Sequence, residues 1–157
     1  HGLFYKDNFF VLEVNGQVVA GLQAHPVHWK IVDIPGKSGK WMMRFLPRMP
    51  FLSRLFNPNA FNFAAIEGLF CLPGYEKELE SLLEGVLAEL GLFTAILWMS
   101  PDAPLSRMLH ENIRWGMLQK FRKDTPATVV MRNYGYEPAE ILEFAKLPVY
   151  VCAFDAT

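Results

Sequence analysis

Residues 65–91 read AIEGLFCLPGYEKELESLLEGVLAELG and bring together an acid, a thiol and a turn that opens a helix. Glu67 interrupts an apolar run four residues before Cys71. A carboxylate desolvated in a cleft there would have a raised pKa, as a general base requires; facing solvent or a cation such as Arg44, it would be ordinary. Cys71 has no His or Lys neighbour in sequence to lower its pKa, so buried packing is expected rather than nucleophilic attack. Pro73-Gly74 precedes the helix, where free N–H groups and the helix dipole attract anions. Glu76, Glu78 and Glu80 crowd that same terminus and compensate the dipole themselves, while Gly74 and Lys77 keep a phosphate cradle open as the other reading.

Elsewhere the candidates are weaker or of another kind. His25 and His28 fall on opposite faces of an extended chain, and no metal site is expected of them. His110, in LSRMLHENIRWG, is expected as a partly exposed helix histidine. Residues 35–60 hold Lys37, Lys40, Arg44, Arg48 and Arg54, with no acid between Asp33 and Glu67. Such a run cannot pair locally and suits an anionic partner. The whole chain has a net charge of −1, so bulk electrostatics point neither to DNA nor to a membrane. Cys71 and Cys152 sit in apolar runs, which predicts free thiols in a reducing, cytoplasmic setting. No apolar run is long enough to span a membrane.

The elements that must position these groups follow from periodicity. The chain has 157 residues, 52% of them hydrophobic, which suits a single domain over residues 1–157. Asn15-Gly16 predicts a type I′ hairpin between strands at 8–14 and 17–24, the second resuming after a break at Pro26 to about 34. Pro47, Pro50 and Pro58 forbid one long helix in the basic stretch, leaving an irregular connection with a short helix near 51–56. A strand at 62–72 leads into a helix whose apolar residues, Leu79, Leu82, Leu83, Val86, Leu87 and Leu90, form one face, with Gly91 as its stop. A short apolar strand at 93–100 follows, adjacent and parallel to the first and covered on both faces. Ser100 or Asp102 is expected to cap a helix through Asn112, with Leu105, Met108 and Leu109 inward. Further strands are expected near 117–121, in ATVVMRN and in LPVYVCAFD. The sum is an α/β (α+β) fold with a mixed central sheet and flanking helices.

This order of elements, with IEGLFCLPGYEKELESLLEGVLAELG and the strand and helix after it, resembles the GNAT superfamily of acyl-CoA-dependent N-acyltransferases over roughly residues 8–155. The family's first strand and first two helices have no counterpart, so the match is to the C-terminal portion of the fold, as in a piece of a longer chain with an upstream part. The resemblance implies acetyl-CoA or another acyl-CoA as donor and a small-molecule or protein amine as acceptor. It implies Glu67 as base and His110 near the family tyrosine that protonates the leaving thiolate. Backbone groups of Leu69, Phe70, Cys71 and Leu72 would hold the pantetheine arm, and Gly74, Tyr75 and Lys77 would face the pyrophosphate. The family's pyrophosphate segment has Arg or Gln, then two small residues; Glu76, Leu79 and Ser81 stand there instead. A non-catalytic GNAT-like binding module that has lost coenzyme A is therefore the rival expectation. A third is a transferase meeting lipid or aminoacyl-tRNA through its basic segment.

Overall fold

The computed structural model describes residues 6–101, 103–113, 116, 135, 137–144 and 146. Among them a four-stranded mixed sheet runs in the order β1-β2-β3-β4, with β1 at Phe9–Val14, β2 at Gln17–Trp29, β3 at Phe61–Cys71 and β4 at Ala95–Leu97. The hairpin forms as the sequence predicts. Asn15 and Gly16 both have positive φ, 51° and 81°, and Val14 pairs with Gln17 across the turn. β2 and β3 are antiparallel, whereas β3 and β4 are parallel. The connection between that parallel pair is the helix α3, Glu76–Glu89.

Alternation along β2 and β3 sorts the core into two layers. Leu22, Ala24, Ala64 and Ile66 lie under α3 with Val86, and Leu82, Leu83, Leu87 and Leu90 pack around them. Leu79 and Leu109 meet Ala20 in an adjoining cluster. The helix ends in a Schellman motif at Gly91, φ +64°: the Leu92 N–H donates to the Leu87 carbonyl at 2.8 Å and the Gly91 N–H to that of Ala88 at 3.1 Å. On the other face Phe61, Phe63 and Ala65 pack with Phe56, Trp29, Ile34 and Met43. Trp29 meets Phe63 edge-on at 4.8 Å.

Four local expectations are corrected. β2 runs unbroken through Pro26, which pairs with Ala64, and ends at Trp29 rather than near residue 34. The Ala64 N–H donates to Thr94 on the β4 side, so Pro26 and Ala64 are a pair without mutual hydrogen bonds. The proline nitrogen therefore faces the edge that β1 has already left, since Phe9 pairs with Gln23, and no ladder bond is lost.

The basic stretch is more helical than its prolines suggest. α1 occupies Gly36–Phe45 and stops before Pro47; the short helix at Leu52–Leu55, α2, follows. Gly39 is the buried residue of α1, pressed on Ile34. An added Cβ would overlap the Ile34 carbonyl oxygen and lie 2.8 Å from its carbon, backbone atoms that cannot swing aside. Gly39→Ala should therefore lose about 1–3 kcal/mol by urea denaturation, against the gain of about 1 kcal/mol that alanine brings to an unhindered helix.

Finally α4, Pro104–Asn112, begins at Ala103 with Pro104 in its first turn and no side-chain cap, so Ser100 does not cap it; Asp102 lies outside the described residues. Proline's missing N–H and preset φ suit that first position. β4 is shorter than the apolar run at 93–100, and Ala95 is exposed rather than covered. A last short helix, α5, spans Pro138–Phe144. The strands expected near 117–121, in ATVVMRN and in LPVYVCAFD, and Cys152 with them, lie outside the described residues.

Candidate functional site

β3 and β4 stay together for only three pairs, Ala64 with Ala95, Ala65 with Ile96 and Ile66 with Leu97. Past Ile66, β3 continues to Cys71 held by β2 alone among the described residues. The departure coincides with a β-bulge. Gln23 pairs with Glu67 but Gly21 with Phe70, so β3 carries one extra residue opposite Leu22. Gly68 has φ +54°, a conformation that glycine adopts without the Cβ penalty, and it supplies the bulge. The extra residue inverts the alternation. Leu69 and Cys71 now join the layer under α3, while Phe70 turns to the opposite face and is exposed. Because the Leu72 N–H donates to Val19 on β2, alternation turns the backbone groups of Leu69 and Cys71 toward the edge that β4 has left.

Glu67 stands immediately before this bulge and is only 7% exposed. It does not face solvent. Instead it shares a sheet face with two other buried polar residues, Gln23 directly opposite and His25 two pairs further on. The Asn8 amide donates to His25 Nδ1 at 3.1 Å, so the neutral ring carries its proton on Nε2. Burial pushes the His25 pKa below its usual value, and the charge of Glu67 pulls it back up. Among the described residues no buried side-chain polar atom lacks a hydrogen-bond partner. The sequence carried a signal for this cluster: Gln23 and His25 are two apart in a strand that is otherwise mostly apolar, which makes a polar stripe on one face. Gly68 inside a strand likewise signals a bulge.

The turn after β3 resolves differently from a phosphate cradle. Gly74 has φ +89°, and its N–H donates to the Glu76 carboxylate at 3.0 Å. The bond from Gly74, and then that from its own N–H, hold the Glu76 carboxyl below the usual carboxylate range. The chain's own anion thus sits where an external one would. Cys71 Sγ points into this turn, donating to the Leu72 carbonyl at 3.3 Å and that of Tyr75 at 3.4 Å. Burial raises its pKa, and the charges of Glu76 and Glu78 raise it further. The thiol is a packing group here, as expected for a cysteine without a basic neighbour. In a Cys152→Ser variant, iodoacetamide should accordingly label Cys71 about ten-fold more slowly than free cysteine at neutral pH. Labelling as fast as free cysteine would overturn that. Lys77 is exposed beside the turn.

The remaining candidates are scattered. His110 is exposed on α4, whose buried Leu109, with Ile113 just past the helix end, belongs to the layer under α3, whereas Glu67 is on the other face of the sheet. His28 lies on the other face from His25 and is 2.7 Å from the Asn62 side-chain oxygen. The basic helices pack, through Met43, Leu46 and Phe56, on the same face as Glu67.

No family model matches the chain, and no curated protein does. Among solved structures it is similar to a GCN5-related N-acetyltransferase from Ralstonia eutropha JMP134, with 17% identity over 83% of this chain and 68% of that one and a TM-score of 0.40.

Proposed function

We propose that this chain is a diverged GNAT-like acyltransferase domain that passes an acyl group from a thioester of the coenzyme A type to an amine. One observation carries the reading: a buried glutamate directly before a glycine bulge, on the strand edge that the parallel neighbour abandons. An opened edge offers backbone groups to an amide-rich pantetheine arm, much as an added strand pairs with a sheet edge. Glu67 would take the proton of the attacking amine, and its burial excludes water from that proton's path. His110 is not assigned the leaving-group proton, because α4 packs under α3.

The residues fit the donor at one end only. The edge at Leu69 and Cys71 suits pantetheine, whereas Glu76 on the Gly74 N–H opposes a pyrophosphate. That contact favours a second reading, a GNAT-like module that no longer binds coenzyme A. Hydrogen exchange separates the two. Saturating acetyl-CoA should slow exchange of the Leu69 and Cys71 amides by about ten-fold or more on the first reading, since paired amides exchange only on opening. Unchanged exchange at both amides, in the native chain and in Glu76→Arg, would leave the binding module.

A further inference from the structure

We propose that the outer face of α1 and the corner that follows it is a docking surface for an acidic lipid bilayer. The inference is independent of acyl transfer. Lys37, Lys40, Trp41, Arg44, Phe45 and Arg48 are all exposed; the first five, spaced i, i+3, i+4, i+7 and i+8, form one stripe of α1, and Arg48 follows in the turn beyond its end. The inward side of the same segment is accounted for by Gly39 against Ile34 and by Met43 and Leu46 in the core. Cations and aromatic rings therefore share one outward face, on which the Arg48 guanidinium also donates to the Arg44 carbonyl. Beyond α1, Met49 is 46% and Phe51 65% exposed, extending the apolar part to a projecting corner.

Charge complementarity selects the occupant. No acid lies between Asp33 and Glu67, so the stripe has no counter-charge within its own stretch of sequence, although the whole chain is at −1. Attraction must then act at short range, within a Debye length of about 10 Å, which suits a flat anionic sheet touching the stripe. The apolar partners are of interfacial type. Trp41 leans on Phe45, with ring centroids 5.5 Å apart, which leaves a wedge to insert rather than two open faces for stacking bases. Met49, 46% exposed beside Phe51, offers no stacking face but favours the acyl boundary over water. Among the described residues no helix is long and apolar enough to cross a membrane, so the contact is one of lying on the surface.

The test is sedimentation of the chain with vesicles of equal parts phosphatidylcholine and phosphatidylserine, and with phosphatidylcholine alone. Binding is expected to the acidic vesicles and to fall steeply with added salt. Replacing Lys37, Lys40 and Arg44 together with Ser should weaken it by about a hundred-fold, at roughly five-fold per cation. Ser38→Glu is the second variant. It places an acid near the helix start, where the dipole tolerates it, yet adds negative charge beside the stripe, and should weaken binding several-fold with the fold intact by circular dichroism. Brominated acyl chains should quench the native chain more than Trp41→Phe. No sedimentation with acidic vesicles would overturn the proposal, as would binding unaffected by either variant or quenching unchanged in Trp41→Phe. Binding to a single-stranded RNA oligonucleotide without binding to the vesicles would overturn it too.

Discussion

Replacing Glu67 with Gln is expected to slow acyl transfer by roughly 10²–10⁴-fold, the range that a positioned proton acceptor supplies. The substitution is nearly isosteric and keeps an oxygen acceptor in a position where polar atoms are satisfied, so chemical denaturation should change far less than the rate. The pH behaviour gives a second readout. Burial lowers the His25 pKa and Glu67 raises it, so removing the carboxylate charge should lower it further. A histidine depressed on folding binds fewer protons folded than unfolded as pH falls through the ordinary imidazole range. Its neutral form suits the fold above that range, and stability is lost progressively as pH drops toward the depressed value. Glu67→Gln should therefore shift acid unfolding to higher pH, and the His25 ring signals should titrate at lower pH. A variant that keeps its rate would remove Glu67 from the chemistry. One that loses rate and stability in parallel would make the residue structural.

What could be read from the residues was whatever depended on local rules. Asn15-Gly16 gave the hairpin because the turn needs positive φ at both positions. The leucines of α3 gave its buried face because helical spacing leaves no other arrangement, and Gly91 gave its stop. The parallel pairing of β3 and β4 followed from the helix between them. Pro26 misled because its tolerance depends on which edge its nitrogen faces, and that is set by where β1 ends, not by β2 itself. α1 was hidden for a different reason. Pro47, Pro50 and Pro58 set the reading of the whole basic stretch, although α1 ends at Phe45, before the first of them. At the site, Glu67 was legible as an acid in an apolar strand, whereas Gln23 and His25 reach its face only through strand register, with Asn8 bonded to His25.

The other large effect is expected at the turn. Calorimetric titration with acetyl-CoA should give weak or undetectable binding to the native chain, and Glu76→Arg should tighten whatever binding exists by on the order of ten-fold at low salt. The reason is competition. The Gly74 N–H is one of the few donors that a turn before a helix can offer an anion, and the Glu76 carboxylate already accepts from it at 3.0 Å. A pyrophosphate would have to displace that carboxylate and then remain beside its charge and that of Glu78, with Lys77 as the nearby cation. Acidification should not help within the ordinary carboxylate range, because the bonds from Gly74 and from its own N–H keep Glu76 ionised below it. The same bonds stabilise the turn above the usual carboxylate pKa and are lost only as pH falls through the depressed value. Glu76→Gln, which keeps an acceptor for Gly74 without the charge, should bind between the other two. Tight binding by the native chain, insensitive to salt, would place the pyrophosphate away from this turn. Failure of all three forms to bind would leave the opened edge of β3 to a ligand without phosphates, and the non-catalytic reading would stand.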